Sequence, residues 1–230
     1  MRLPLSRYSI LDLLIIGGML LAVSVLAWLY VSLWLAAAFL VLFAFVLFFF
    51  RDPPRKIPAE PGVLVSPADG TVVEIDQVQD CPLVPGKALK IGIFMSLFNA
   101  HVNRAPAAGT VAMLDYQPGS FYNALRARAP ADNEANSVLF NCPEVPGRSV
   151  LVKQIAGVLA RRIVCRCKLG QSLDRGQSFG MIKFGSRVEL YLPYSQKLHL
   201  QVSKGQKVKA GSSVILRYDS MSSPEELPDE

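Results

Sequence analysis

The residues able to do chemistry in this chain are few, and each sits at a break in an otherwise apolar or β-like run. His101 lies in Phe94-Met-Ser-Leu-Phe-Asn-Ala-His101-Val-Asn103-Arg104-Ala-Pro106. It is one of only two histidines; the other, His199, falls in the plain alternating run Lys197–Val202. An imidazole has an unperturbed pKa of about 6.5 and can move protons near neutral pH. Ser186 follows Gly185 in Phe184-Gly185-Ser186-Arg187, which interrupts a β pattern, and this is not a Gly-x-Ser-x-Gly nucleophile elbow. Asp69 stands in Ser66-Pro-Ala-Asp69-Gly70. Taken singly, each has a plain structural reading: an Asp-Gly hairpin turn, a core histidine, a glycine bulge. The four cysteines, Cys81, Cys142, Cys165 and Cys167, form no CxxC pair. With two histidines they offer too few ligands for zinc, so no metal is expected, and reduced structural thiols in a cytoplasmic domain fit better.

These residues must be positioned by a chain of 230 residues with mean hydropathy +0.33 and net charge +6. Its 51% apolar and 18% charged content excludes disorder. The apolar excess is local: no charged residue occurs from Leu13 to Phe50, a run of 38 positions. One helix of that length would be about 57 Å long, against a hydrocarbon core of about 30 Å. Two helices fit better, joined near Trp28–Trp34, where Trp and Tyr favour the interface. Arg2 and Arg7 precede the run and Arg51, Arg55 and Lys56 follow it, which places both ends on the cytoplasmic side. A signal peptide would have a shorter apolar region and a small-residue cleavage site. No dense Lys/Arg block tracks a nucleic-acid backbone, so no nucleic acid is expected; the mild positive charge suits an anionic membrane surface or substrate.

The expected organisation is a membrane hairpin (1–50), a Pro-rich linker (51–62), a β-rich domain (63–220) and a polar tail (221–230). Strand-like runs appear at Thr71–Ile75, Ala88–Met95, Val111–Tyr116, Ser137–Phe140, Ser149–Ile155, Ile163–Leu169, Phe179–Phe184, Arg187–Leu192, Lys197–Val202 and Ser213–Tyr218. Phe121–Ala129 could form a short helix. The fold class is therefore mostly β, a barrel or sandwich, behind an α-helical hairpin. The stretches Pro67–Ile75 and Val202–Ile215 resemble the two halves of a biotinyl/lipoyl hammerhead, without the carrier lysine.

Together, Ser66–Gly70, His101–Pro106, Asp132–Ser137, Gln154–Gly157 with Ala160–Val164, and Phe179–Pro193 resemble the short-form prokaryotic phosphatidylserine decarboxylase proenzymes, in family order and over roughly residues 50–216. The resemblance implies a pyruvoyl enzyme. The chain would cut itself between Gly185 and Ser186, Ser186 becoming a covalent pyruvoyl group that forms a Schiff base with the substrate amine. Phosphatidylserine in the bilayer would be converted to phosphatidylethanolamine. His101 would be the base and Asp69 the carboxylate that orients it, so that Asp69, His101 and Ser186 converge. The two cleaved chains would stay associated, at the inner (cell) membrane with the catalytic domain on the cytoplasmic side; a homo-oligomer is left open. Two positions depart from the pattern: Arg104 stands where long-form relatives carry a second histidine, and Ala135 where the family usually has arginine. Two other readings remain open, a non-enzymatic membrane-anchored adaptor on the hammerhead-like scaffold and a Ser-His-Asp hydrolase using Ser186.

Overall fold

The computed structural model describes residues 5–79, 81, 86–122, 124, 129–157, 162–183 and 185–218. Phe184, Ala160 and Arg161, most of the 121–129 run and the 221–230 tail lie outside the described residues.

The apolar run folds as two helices, α1 (Ile10–Tyr30) and α2 (Leu33–Phe49). The turn falls at Val31–Ser32, and the Ser32 hydroxyl caps α2 by accepting the Leu35 N–H at 3.2 Å. The helices touch through small residues: the Ser24 hydroxyl donates to the Ala36 carbonyl at 2.9 Å, and Gly17 lies against the Phe43 ring. Their outer faces leave large apolar side chains exposed, including Leu11, Leu14, Trp28 and Trp34. By length and composition α1 is long and apolar enough to cross a membrane; α2 is apolar but shorter. The hairpin closes at its foot, where the Ser6 N–H donates to the Phe50 carbonyl at 2.8 Å.

The remainder is mostly β. In chain order the strands are β1 (Val63–Val65), β2 (Gly70–Val78), β3 (Ala88–Met95), β4 (Val102–Arg104), β5 (Gly109–Gln117), β6 (Ala135–Asn141), β7 (Ser149–Ile155), β8 (Arg162–Cys165), β9 (Ser172–Leu173), β10 (Ser178–Lys183), β11 (Ser186–Pro193), β12 (Leu198–Leu200), β13 (Lys207–Val208) and β14 (Val214–Tyr218). A single helical turn, α3 (Ala129–Asp132), precedes β6. Eight strands form one curled sheet in the order β13-β2-β3-β11-β7-β6-β5-β9, and two three-stranded sheets, β1-β14-β12 and β4-β10-β8, flank it. All these strand pairs are antiparallel. The two hammerhead-like stretches pair with each other: β13 lies on β2, and the Ser66 N–H donates to the Ser213 carbonyl at 2.8 Å.

β11 is central because its side chains alternate. Val188, Leu190 and Leu192 enter the main core with Ile91, Ile93 and Val152. Arg187, Glu189 and Tyr191 point to the opposite face, where Arg187 pairs with Glu74 and lies 2.8 Å from Glu189, and Lys90 bridges Glu74 at 2.8 Å and Glu189 at 3.2 Å. The Tyr191 hydroxyl donates to Glu189 at 2.6 Å. The Arg187–Glu189 contact is ionic and off-axis for a hydrogen bond, since the same carboxylate oxygen has no properly directed donor. A buried carboxylate such as Glu189 is tolerated only because opposite charges and the phenol surround it.

A second, smaller core fixes the hairpin on the domain. Tyr8, Phe49 and Phe50 pack with Val102 of β4 and Met181 of β10. The Tyr8 hydroxyl bonds to Ser178 at 3.2 Å, and Asp12 of α1 pairs with Lys183 at 2.5 Å.

Candidate active site

The Gly185–Ser186 bond lies where the chain passes from one sheet to another. β10 belongs to the flanking sheet and ends at Lys183; β11 begins at Ser186 in the middle of the large sheet. Ser186 pairs with Met95 of β3, and Arg187 pairs with both Phe94 and Ile155, so the strand is gripped from both sides at its first residues. Gly185 has φ +52°, a left-handed backbone open to glycine and costly for most side chains. Its carbonyl is packed against Gly157: a Cβ on Gly157 would lie 2.0 Å from the Gly185 oxygen. Gly157 is held by Asn133, whose side-chain amide donates to the Tyr122 and Ala156 carbonyls, both at 2.7 Å, and whose oxygen accepts the Tyr122 N–H at 2.9 Å. The Glu134 carbonyl accepts the Ala156 N–H at 2.9 Å. The segments Asp132–Ser137 and Gln154–Gly157 thus build one cradle for the Gly185 carbonyl.

The Ser186 hydroxyl is fully buried and donates to the Met95 sulfur at 3.4 Å, a weak acceptor. A buried polar chain continues from that sulfur. Asn103 approaches it at 4.0 Å, Gln154 donates to Asn103 at 2.7 Å, and Asn136 donates to Gln154 at 2.8 Å.

His101 precedes β4 and is wholly buried. Its Nδ1 is 2.9 Å from the Asn99 carbonyl, which can only accept, so Nδ1 carries the proton and Nε2 presents a lone pair. That Nε2 has no hydrogen-bond partner among the described residues. The Phe49 ring covers the imidazole at 4.4 Å between centroids. Burial pushes His101 down to about 4, with Arg51 acting in the same direction and the Asn99 bond opposing. The imidazole is therefore neutral at pH 7. Its carbonyl accepts the Ile182 N–H at 3.2 Å, which ties it to the strand running into Gly185.

Asp69 is nearly buried just before β2. Its carboxylate accepts the Ala210 N–H at 2.7 Å and pairs with Arg55 at 2.8 Å. The orienting acceptor on His101 is thus a backbone carbonyl and not Asp69. No hydrogen bond joins His101 to Ser186 either. What the large sheet does is bring Asp69 and Ser186 to one end: Thr71, two residues after Asp69, and Arg187, one after Ser186, flank Phe94 on opposite sides of β3. Two strand spacings, about 10 Å, separate their backbones. Arg51 stands within electrostatic reach of both Asp69 and His101.

The departures from the motif pattern also find places. Arg104 turns toward Asp52 at 2.5 Å and the Gly176 carbonyl at 2.9 Å. Ala135 is buried at the start of β6, opposite Ile155. The cysteines are free thiols, and no group of ligands fit to hold a metal occurs among the described residues. Cys165 and Cys167 do share a side, with sulfurs 3.1 Å apart.

The sequence reading assigned no role to Gly157, Asn133, Met95, Asn103, Gln154 or the Arg187–Glu189 cluster. The available signal was polar residues alternating inside otherwise apolar runs, as at Gln154, Arg187 and Glu189.

A group generated from Ser186 itself fits this setting. The serine begins a strand fixed on both edges, its hydroxyl has no strong acceptor, and its carbonyl neighbour is cradled by glycine.

Comparison with known proteins agrees with the geometry. The family model described as phosphatidylserine decarboxylase matches residues 42–216. A phosphatidylserine decarboxylase proenzyme from Rhodopirellula baltica is 45% identical over 218 residues, covering 94% of this chain and 89% of its own length. Those of Cupriavidus pinatubonensis and Nitrosomonas europaea are each 45% identical, over 82% and 81% of this chain and 85% and 83% of their own. With its motif segments folded into one cradle and these relatives spanning most of its length, the chain belongs to the phosphatidylserine decarboxylase family.

Proposed function

We propose that the chain is a self-cleaving proenzyme that converts phosphatidylserine to phosphatidylethanolamine and CO₂ at the cytoplasmic face of the cell membrane. The observation that carries this is the Gly185–Ser186 junction, with a left-handed glycine, a buried serine at a strand start and Gly157 against the carbonyl. The relatives' names supply the substrate.

In the first reaction His101 Nε2, neutral and unpartnered, takes the Ser186 proton as Oγ attacks the Gly185 carbonyl. The amide passes to an ester. Elimination frees the upstream chain with a carboxyl end at Gly185 and leaves dehydroalanine at 186; water then replaces its nitrogen, releasing ammonia. Asp69, next to Arg51 and Arg55, sets the charge around the site. The resulting pyruvoyl group supplies a carbonyl that acts as an electron sink for loss of the substrate carboxylate. Arg187 and Glu189 hold the new terminus against Glu74 and Lys90. The two chains stay together because β11 lies between β3 and β7, and β13 and β14 pair with β2 and β1. His101 would return a proton.

The hairpin would hold the domain at the bilayer, with its closed foot and Lys56 at the headgroup level. Arg51 and Arg55 contribute less there than their sequence positions suggested, since Arg55 turns inward to Asp69 and Arg51 donates to the Phe48 and Phe98 carbonyls. The test is turnover: full-length protein in vesicles containing phosphatidylserine should form phosphatidylethanolamine, and Ser186→Ala should form none. An uncut wild-type chain without product would reject the reading. The adaptor alternative has no support among the relatives.

A further inference from the structure

A cavity of about 750 Å³ opens at the foot of the hairpin, away from Ser186. Its walls come from Leu5 and Arg7 before α1, Asp52–Arg55 after α2, Arg104, and the 174–178 turn. Four guanidiniums therefore face two carboxylates, Asp52 and Asp174. Asp52 is already engaged by Arg104, and Arg55 pairs with Asp69 at the active-site side. The hydrogen bonds of the other two go to neutral groups: Arg7 to the Ser178 carbonyl at 3.1 Å and the Tyr8 hydroxyl at 2.9 Å, Arg175 to the Val63 carbonyl at 3.1 Å. Two buried donors of this cavity have no acceptor among the described residues, Nε of Arg55 and Nε of Arg175. Buried polar groups are normally satisfied, so orphan guanidinium donors around a basic cavity point to an anionic ligand.

We propose that this cavity binds the phosphodiester of a membrane phospholipid. Planar guanidinium forks match phosphate oxygens, which accept several donors at once. The volume exceeds what a single phosphate needs and admits a headgroup with its glycerol. The position favours a lipid over a free anion: α1 starts three residues after Arg7 and α2 ends three residues before Asp52, so the cavity lies where an inserted hairpin would leave the hydrocarbon. Leu5, Pro53, Pro54 and Ile57 supply apolar wall for the glycerol. Arg104, which stands where a histidine occurs in long-form relatives, belongs to this cavity and not to the Ser186 site. The inference rests on the membrane part of the proposed function and is independent of the cleavage chemistry.

The test uses the full-length Ser186→Ala chain in detergent, so that binding is read without processing. Native mass spectrometry would follow titration with dihexanoyl phosphatidylglycerol, dihexanoyl phosphatidylserine, dihexanoylglycerol and inorganic phosphate. One phospholipid should be retained per chain, dihexanoylglycerol should not, and Arg7→Gln with Arg175→Gln should weaken retention about tenfold. Asp174→Asn, at an exposed position, should strengthen it. Retention of phosphatidylserine alone would still support the site and make it a substrate subsite. Equal retention of dihexanoylglycerol, or no change in either set of variants, would overturn the proposal. Binding of inorganic phosphate with no gain from acyl chains would overturn the lipid and assign the arginines to a free anion. With Ser186 restored, the Arg7→Gln, Arg175→Gln chain should still self-cleave; if the wild-type chain does not, it is the proposed function that fails and not this site.

Discussion

Replacing Gly157 by alanine would place a methyl carbon 2.0 Å from the Gly185 oxygen and 3.2 Å from its carbonyl carbon. Ordinary contact begins at 3.4 Å, so the Gly185 carbonyl must retreat by about 1.4 Å or the Ala156–Gly157 turn must give. That turn is held by Asn133 and Glu134, so the retreat should fall on Gly185. A misplacement of about 1 Å between reacting groups costs about a hundredfold in rate, which is about 2.7 kcal/mol in the barrier. Gly157→Ala should therefore fold but self-cleave at least about a hundredfold more slowly. The rate is read from the ratio of intact to cleaved bands after a synthesis pulse, with circular dichroism to confirm the fold. Gly18→Ala in α1, whose Cβ meets nothing within 4 Å, is the control and should cleave normally. Cleavage of Gly157→Ala at the wild-type rate would refute the assignment of Gly185 as the carbonyl under attack.

Three further outcomes follow from the buried groups. His101 is held down to about 4, so the unfolded chain binds its proton first as pH falls; its contribution to stability is complete above about 6.5 and is lost toward pH 4, amounting to roughly 3 kcal/mol. Urea unfolding of His101→Asn on the uncut Ser186→Ala background should lack that part of the slope, and identical pH profiles would contradict it. Phe49→Ala should uncover the imidazole and move its pKa up toward 6.5, which ¹⁵N chemical shifts of the ring would report; an unmoved pKa would mean that Phe49 does not shield it. Arg187→Met removes a guanidinium from beside the buried Glu189, leaving Lys90 and the Tyr191 hydroxyl against it, and should lower the stability of the cleaved protein by about 3–5 kcal/mol; an unchanged urea midpoint would show that the cluster does not hold the new terminus.

The elements legible in the sequence were those whose pattern has a single physical cause. The hairpin was readable because a charge-free run too long for one span must fold back, and Ser32 supplies the cap. Ala88–Met95 and Ser149–Ile155 match their strands end to end because runs rich in β-branched and other apolar residues, broken only by isolated polar positions, mark strands with few exposed side chains. The pattern over Ile163–Leu169 is longer than the strand: β8 stops at Cys165, opposite Gly180, the last of its pairs with β10. Short strands such as β1 and β4 carry too few residues to show a period. Ser186 and His101 were found as motif residues, yet the acceptor for His101 is the Asn99 backbone, which side-chain types cannot reveal. The cradle at Gly157 was equally hidden, because a glycine's reason for being there is the atom it must not touch.

Intact-mass spectrometry of the purified full-length protein tests the central claim most directly. Wild type should give two chains, residues 1–185 and 186–230, the small one lighter by one ammonia than a serine-terminated peptide and reactive toward borohydride. Ser186→Ala should give one full-length mass. A single uncut wild-type chain, a small chain with a free serine amine, or cleavage of Ser186→Ala would contradict the account.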